Sequence, residues 1–288
     1  MSSSFIPKKL VIAFHPRFPA VLNEAQSIAG HLNELGIDAP VGSLHDEDLR
    51  KRVKAGEFEI LIAVGGDGTM LRAGHLCAPC QIPILGINMG KLGFLIQVKH
   101  DTWPAMLDQM LTGDFWIENR LMLRVELFRA GEQQGVWHAL NEAVVSRGQY
   151  LNPIHIAASV DGQALTTYVA DGLLASTATG STAYALAAGG PILPPELRNI
   201  LIVPIAPHLS VDRAVVLSEG AAVNIMVRSD NAVLSVDGQK PIGLDEDDRV
   251  DVHAAEYSAK FVRFGDLGYF YRNLTALMNQ NPSTGLTR

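Results

Sequence analysis

Along the first third of the chain, short apolar runs alternate with stretches in which apolar residues recur at helical spacing. Leu10–Phe14, Ile60–Val64 and Pro83–Asn88 are apolar runs of strand length. Between the first two runs, one helical face carries Val21, Ala25, Ile28, Leu32 and Leu35. Strands separated by helices predict a parallel sheet with helices on its faces. We therefore expect a Rossmann-like α/β domain over residues 1–120.

Two further segments of this region favour helices. His45–Ala55 is polar and of helical composition, and Asp101–Met110 has helical spacing with Asp101 as its expected N-cap. The helix that follows Ile60–Val64 is expected to begin around Thr69. These helices complete the predicted alternation.

The pattern changes from about Leu121, where short apolar runs follow one another with turn residues between them. One of these predicted strands is Val136–Val145, which Asn141 and Glu142 interrupt. A carboxylate at this place lies either on the exposed face or in a site. Successive strands at this spacing predict an antiparallel β-sandwich domain over residues 121–255.

Two glycines, Gly65 and Gly66, end the Ile60–Val64 run, and Asp67, Gly68 and Thr69 follow. A strand that ends at glycines and continues as a helix lets backbone N–H groups approach an anion closely. Asp67 would repel a phosphate unless it acts on a metal ion or on a reacting hydroxyl. The alternative is an ordinary tight turn, in which Asp is common.

This turn matches neither of two familiar nucleotide-binding patterns. No Gly-Lys-Ser/Thr follows it, so it is not a P-loop. Leu71 stands where a dinucleotide fingerprint has its third glycine.

A second glycine-rich segment, Asp171–Gly190, lies in the strand-rich half. Hydroxyl residues crowd around Gly180, and a stretch of small residues follows from Ser181. The segment either offers hydroxyl and backbone donors at a helix start or simply caps a closely packed small-residue helix. From the residues alone, the capping interpretation is favoured.

Composition narrows the classes of function. The chain has 288 residues, 48% of them hydrophobic and 18% charged, which suits one large or two medium domains. A net charge of −7 gives no reason to expect a nucleic-acid or an anionic-membrane partner. No apolar run approaches the ~20 residues that span a bilayer, and the first ten residues lack the pattern of a signal peptide, so we expect a cytoplasmic location.

Cys77 and Cys80 form a Cys-x-x-Cys pair with His75 nearby. A redox pair or half of a zinc site would have this spacing. No second pair completes a zinc site, so small buried side chains are the expected role.

Taken together, these segments resemble the bacterial and archaeal-type NAD kinases. The matching segments, in the family's order over nearly all of the chain, are Gly65–Thr69, Gly86–Leu95, Asn141-Glu142, Asp171-Gly172, Thr179–Tyr184, Gly189–Pro191 and Pro204–Ser210. Gly-Gly-Asp-Gly-Thr alone is also found in diacylglycerol and sphingosine kinases. The later segments are more specific.

The resemblance implies an ATP-dependent enzyme that phosphorylates the adenosine ribose 2′-hydroxyl of NAD to give NADP. It implies two domains with the site in the cleft between them, and a C-terminal segment, residues 256–288, that returns to the first domain. Homodimers or homotetramers are usual in the family.

The resemblance also assigns roles to individual residues. Asp67 matches the catalytic base for the ribose hydroxyl, and Gly65, Gly66 and Gly68 match the phosphate-holding turn. Further expected nucleotide contacts are Phe94 (adenine wall), Asn141 and Glu142 (ribose hydroxyls), Asp171 (nicotinamide end), Thr182, Ala183 and Tyr184 (adenine and ribose), Ala187 and Gln239.

The sequence departs from the family at three positions. Ala178 stands where proline is frequent, which indicates a looser loop before Gly180. Val169 replaces a common arginine, which bears on the preference between NAD and NADH. Asn152 falls where a histidine is frequent and is included as a contact.

Phosphoryl transfer to a hydroxyl requires positioning, charge neutralisation and a base. We expect a divalent metal, Mg²⁺, to arrive with ATP, and we assign no metal ligands to the chain. Two alternatives remain at this point: a lipid kinase that shares the Asp67 turn, and a dinucleotide sensor without catalysis.

Overall fold

The computed structural model describes residues 5–16, 19–90, 93–149, 152–208, 211–272 and 274. The described residues form two compact units. One contains the residues up to Asn119 together with those from Ala259 onward, and the other is Arg120–Ser258.

Strands and helices alternate in the first part of the chain, as the apolar pattern predicts. In chain order they are β1 (Leu10–Phe14), α1 (Pro19–Glu34), β2 (Val41–Ser43), α2 (Glu47–Lys54), β3 (Ile60–Gly65), α3 (Asp67–Cys77), β4 (Ile84–Asn88), β5 (Val98–Lys99), α4 (Trp103–Leu111) and β6 (Trp116–Arg120).

The later part of the chain is mostly strands. They are β7 (Leu123–Arg129), β8 (Glu132–Ala139), β9 (Glu142–Arg147), β10 (Ile154–Val160), β11 (Gln163–Ala170), β12 (Gly172–Thr177), β13 (Asn199–Ile205), β14 (Val215–Ser218), β15 (Val223–Val227), β16 (Ala232–Val236), β17 (Ile242–Leu244), β18 (Arg249–Ala254) and β19 (Ala259–Arg263), with one short helix, α5 (Tyr184–Ala187), before β13. Short 3-10 turns lie at Ala78–Cys80 and Gly180–Thr182.

The first unit is built on a sheet with the order β2-β1-β3-β4-β19-β6, and β5 also pairs with β4. Strands β1, β2, β3 and β4 run parallel to one another, and β19 is parallel to β4. Strand β3 is buried along its whole length, as expected for a parallel strand with both faces covered. The C-terminal segment thus supplies a strand of the first sheet.

The expectation that Asp101 is the N-cap of α4 is wrong. The N-cap of α4 is Thr102, not Asp101, and no side chain caps this helix end by a hydrogen bond. The following Trp103-Pro104 explains the shift, because proline is preferred at the start of a helix, where its missing N–H needs no partner.

Two antiparallel sheets form the second unit, with the orders β11-β10-β15-β18-β7-β8 and β14-β13-β12-β9-β16-β17. Buried and partly exposed positions alternate along β15 and β16. The buried faces of both sheets contribute to one apolar cluster, which includes Val125, Ile225, Leu173 and Leu234. This arrangement is a β-sandwich, so the predicted fold class is confirmed for both halves.

None of the helices in the described ranges is long and apolar enough to cross a membrane.

Candidate active site

Asp67 is the first residue of α3 and follows β3 through Gly65 and Gly66. Gly65 has no room for a side chain, since a Cβ there would clash with the Thr69 side chain. Gly66 is the N-cap, and its carbonyl accepts hydrogen bonds from the N–H of Thr69 (2.8 Å) and of Met70 (3.1 Å). The helix therefore begins two residues earlier than expected, and Asp67 lies at its positive N-terminal end.

Two backbone donors from a distant segment hold the Asp67 carboxylate. The N–H of Phe94 donates to Oδ2 (2.8 Å) and the N–H of Leu95 donates to Oδ1 (3.2 Å). A Cβ on Gly93 would overlap the carboxylate, so only glycine permits this approach. Together with the helix end, these donors stabilise a negative charge on a half-buried side chain. The backbone of Phe94, one of the expected nucleotide contacts, is therefore hydrogen-bonded to Asp67.

A cavity of about 540 Å³ lies in the first unit against the glycine turn. Its lining residues are His15, Ala20, Val21, Val64, Gly65, Gly66, Gly68, Thr69, Arg72, Asn88, Met89 and Gly90. Asp67 is not among them, and its carboxylate contacts the 94–95 backbone. The volume is within the range of small-molecule sites, and Arg72 and His15 supply basic groups.

The sequence interpretation missed His15, Arg72 and Asn88. His15 directly follows β1 and Asn88 ends β4, and both strands flank β3 in the sheet. Ligands of parallel sheets gather at the carboxyl ends of such strands, so strand ends are the signal that identifies them. Arg72 lies one helical turn after Gly68, and its Nη1 donates to the Gly68 carbonyl (2.9 Å).

In the second unit, Asn141 and Glu142 lie at a break between two strands. The expectation of one strand over Val136–Val145 is wrong: β8 ends at Ala139 and β9 begins at Glu142, in the other sheet. The chain crosses from one sheet of the sandwich to the other here, so periodicity within one sheet does not continue through it.

Asp237 holds this break in place. Its carboxylate accepts hydrogen bonds from the N–H groups of Leu140 (2.7 Å), Asn141 (2.9 Å) and Glu142 (2.9 Å). The sequence Asp237-Gly238-Gln239 is typical of a tight turn. The turn is present, with φ of 47° at Asp237 and 65° at Gly238, but Asp237 also binds residues 95 to 97 positions earlier.

Glu142 has a buried carboxyl group, with 7% of the residue exposed. Burial raises the pKa of Glu142 to about 8, and the nearby Asp237 charge is the second cause. A hydrogen bond from the Tyr184 backbone acts in the opposite direction and lowers this pKa. Among the described residues, no group hydrogen-bonds to Glu142 Oε2. A neutral carboxyl with a spare oxygen can both donate to and accept from a hydroxyl group, which suits a sugar ligand.

The Thr177–Ala187 segment packs on the same break. Thr177 Oγ1 donates to the Leu140 carbonyl (2.5 Å), and the Thr177 N–H donates to the Asn141 carbonyl (2.8 Å). Gly180 lies against the Asn141 backbone with no space for a Cβ. Asn141, Glu142 and the turn before α5 are therefore brought together.

The expected contacts at the helix start differ in exposure. Thr182 and Ala183 are half-buried, whereas Tyr184 is 44% exposed and Ala187 is exposed. The helix has only four residues and its N-cap is Ala183, which makes no side-chain cap. The capping interpretation of these residues is therefore wrong for α5.

Asp171 and Asn152 lie near Arg147, at the other end of β9, whereas Val169 lies on β11 of the other sheet. The Asp171 carboxylate pairs with Arg147 Nε at 3.0 Å. Arg147 and Asn152 line one cavity of about 380 Å³, together with Pro153, Ile154, Ser229, Asp230 and Asn231. Val169 is half-buried, and its carbonyl accepts from the His208 N–H (2.7 Å). Arg147 lies five residues after Glu142 on β9, or about 17 Å along the strand.

Gln239 is exposed in the turn after Asp237. Its N–H donates to the Val236 carbonyl and its own carbonyl accepts from Ser235 Oγ, both at 3.0 Å. Because the residue is exposed, its side chain is accessible to a ligand at this turn.

The Cys-x-x-Cys pair has an ordinary packing role in this geometry. Cys77 is fully buried, and burial raises the pKa of its thiol, which suppresses the reactive thiolate. In the part of the chain that the structure describes, no group of three or more His, Cys, Asp or Glu residues could hold a metal ion.

Comparisons with known proteins converge on one family. Residues 25–115 match the family model of the ATP-NAD kinase N-terminal domain, and residues 140–264 match that of the ATP-NAD kinase C-terminal domain. The chain is 36% identical to the NAD kinase of Chloroflexus aurantiacus over 275 residues, 95% of this chain and 99% of that protein. It is also 36% identical to the NAD kinase of Dehalococcoides mccartyi, over 96% of this chain and 98% of that protein.

Two solved structures are similar. Yeast NADH kinase complexed with NADH superposes with a TM-score of 0.84 at 25% identity, covering 98% of this chain and 91% of the yeast chain. The NAD kinase from Archaeoglobus fulgidus in complex with ATP gives a TM-score of 0.75 at 26% identity, over 93% of this chain and 98% of that chain.

Proposed function

The chain belongs to the NAD kinase family, and we propose that Asp67 is the general base in its transfer of a phosphoryl group from ATP to the 2′-hydroxyl of NAD. The observation that carries this role is the Asp67 carboxylate, which the start of α3 and two backbone N–H groups hold at the end of β3. A carboxylate kept charged and fixed can accept the hydroxyl proton as the new bond to phosphorus forms.

The cavity beside the glycine turn is the proposed site for the triphosphate of ATP. Backbone N–H groups at Gly66 and Gly68 and the positive end of α3 favour phosphate oxygens, and Arg72 and His15 add basic groups. The apolar side chains of Val21 and Met89 in the same lining suit a flat base. Mg²⁺ enters as part of the ATP substrate, bound mainly to phosphate oxygens.

The dinucleotide is assigned to residues of the second unit. Glu142 and Asn141 take the ribose hydroxyls, a role that the spare Oε2 atom and the raised pKa of Glu142 support. The remaining proposed contacts, with Phe94 from the first unit, are Asn152, Val169, Asp171, Thr182, Ala183, Tyr184, Ala187 and Gln239. The roughly 17 Å between the two ends of β9 suits an extended dinucleotide whose nicotinamide end lies at Asp171.

The direct test is the reaction of the purified protein with Mg-ATP and either NAD or NADH, followed by identification of the products. We expect NADP from NAD. Replacing ATP by polyphosphate defines the donor range in the same assay. Absence of any 2′-phosphorylated product from a folded protein that binds NAD would contradict the proposal.

On the ground of the family resemblance, we also propose that the protein is cytoplasmic and forms a homodimer or homotetramer. Light scattering of the purified protein at assay concentration measures the subunit number. A monomer with full activity would contradict this part alone.

A further inference from the structure

A buried ion pair in the first unit joins Arg263 of the C-terminal strand β19 to Glu118 of β6. Arg263 is 1% exposed and Glu118 is 5% exposed. Arg263 Nε donates to Glu118 Oε2 (2.7 Å), and the Tyr269 hydroxyl donates to the Glu118 carboxylate, 3.1 Å from Oε1 and 3.2 Å from Oε2. Among the described residues, Arg263 Nη2 has no hydrogen-bond partner. Desolvation of two charges offsets much of their attraction, so such a pair is a poor source of stability and calls for another explanation.

A second hydrogen bond of the Arg263 guanidinium group connects it, through Leu95, to Asp67. Arg263 Nη1 donates to the Leu95 carbonyl (3.0 Å), and the Leu95 N–H donates to Asp67 Oδ1 (3.2 Å). A single residue therefore lies between the buried arginine and the carboxylate. Gln97 strengthens the same connection, because its side chain donates to the Phe264 carbonyl (2.9 Å) and accepts from the Phe264 N–H (3.0 Å).

We propose that Arg263 is a positioning residue, which fixes the 94–95 backbone and through it the Asp67 carboxylate. This inference rests on the proposed function, which gives Asp67 its role. The planar guanidinium reaches Glu118 through Nε and Leu95 through Nη1 at a fixed angle. A lysine keeps the positive charge but cannot hold both partners in this geometry.

The test compares Arg263→Lys with Val262→Ala, a matched control in the same strand. Val262 is buried in an apolar cluster of the first unit, and its side chain has no polar group, so its truncation loosens β19 while leaving the donors and acceptors of the Arg263–Leu95–Asp67 hydrogen bonds in place. We expect Arg263→Lys to lower kcat about 10- to 100-fold, with KM for NAD and ATP within about twofold of wild type. Val262→Ala should lower Tm yet keep kcat within about twofold of wild type. Equal kcat losses in the two variants, or an unchanged kcat in Arg263→Lys, would overturn the proposal.

A double-mutant cycle separates positioning from a general structural effect. In an Asp67→Asn background, Arg263→Lys should change the residual turnover by less than about twofold, since the group it positions is gone. A full Arg263→Lys effect in that background would show that the arginine acts elsewhere. Wild-type NADP formation is measured separately, so failure of the proposed function is distinguished from failure of this inference.

If Arg263→Lys does not fold, Glu118→Gln replaces it in both experiments. Glu118→Gln keeps the shape of the acceptor but weakens the orientation of Arg263, and kcat should fall while both KM values stay near wild type. Amide hydrogen exchange at Leu95 should accelerate in either variant, with β3 amides unchanged. Unchanged kcat together with unchanged exchange at Leu95 would overturn the proposal.

Discussion

Asp67 and Glu142 are two carboxyl groups in opposite environments. Asp67 is half-buried, and the helix N-terminus together with two backbone N–H groups stabilises its charged form. Glu142 is buried near the Asp237 charge, and its pKa is raised to about 8. Asp67 is therefore held as a carboxylate that can accept a proton, whereas Glu142 keeps its proton up to about pH 8. This difference supports the proposed base role of Asp67 and the proposed hydroxyl-binding role of Glu142.

The largest expected effect comes from Asp67→Asn. Loss of the base should lower kcat by about 10²–10⁴-fold, while binding of NAD stays within a few fold of wild type. Steady-state kinetics and NAD titration measure both quantities. Asp101→Asn is the control, since it removes one exposed carboxylate of the same unit. A near-normal kcat in Asp67→Asn would show that Asp67 is not the general base.

Gly93→Ala sharpens the comparison without changing either carboxyl group. The new Cβ overlaps the Asp67 carboxylate, which must move, and a displacement of about 1 Å can lower kcat about 10²-fold. Gly30→Ala in α1, where no atom lies within 4 Å of the added Cβ, should retain full activity. If both glycine variants retain wild-type kcat, the Asp67 position is not sensitive to the 93–95 segment.

Asp237→Asn acts on the other carboxyl group. The amide replaces one oxygen that accepts backbone N–H groups at 140–142, so the break loosens and KM for NAD should rise about tenfold. Removal of the nearby charge should also lower the pKa of Glu142. Asp212→Asn, an exposed carboxylate in the same unit, is the control. An unchanged KM for NAD between pH 6 and 9 would contradict the positioning role of Asp237.

The smallest effect on turnover is expected for Glu142→Gln, because a glutamine and a protonated glutamate both offer a donor and an acceptor. Its effect appears in stability. The pKa of Glu142 in the folded protein, about 8, lies above the ordinary 4.5, so the folded state holds a proton that the unfolded state loses. The contribution of Glu142 to wild-type stability therefore falls as pH rises from 4.5 to 8, and the variant lacks this loss.

Urea unfolding at pH 4.5, 7 and 8.5 measures the difference. The free energy of unfolding of Glu142→Gln should exceed that of wild type by on the order of 3 kcal/mol at pH 7, with little difference near pH 4.5. Glu246→Gln, at an exposed position, should follow the wild-type pH dependence. Parallel curves for wild type and Glu142→Gln would show that Glu142 is ionised in the folded protein.

Local patterns predicted much of the fold. Apolar runs located β1, β3 and β4 within a residue or two, and turn residues between short strands predicted the sandwich. The Gly65–Thr69 turn was recognised because its chemistry lies in consecutive residues. Interactions between distant residues were not predictable in this way, since Asp237 binds 95 to 97 positions back and Arg263 binds Leu95 at a separation of 168.

The boundaries that failed have physical causes. The β8–β9 break at Leu140-Asn141 was not predicted, because two polar residues within an apolar run also suit the exposed face of one strand, whereas the chain changes sheets there. His15 and Asn88 were missed because each is a single polar residue at a strand end. Only the parallel arrangement of β1, β3 and β4 brings them to one edge.

The pH dependence of kcat with saturating Mg-ATP and NAD tests the central claim most directly. If Asp67 is the base, log kcat of the wild type rises with unit slope on the acidic side and levels off once the carboxylate is charged. In Asp67→Asn this acidic limb should disappear, leaving a low, flat profile. An acidic limb that persists unchanged in Asp67→Asn would contradict the account, because the proton would then go to another group.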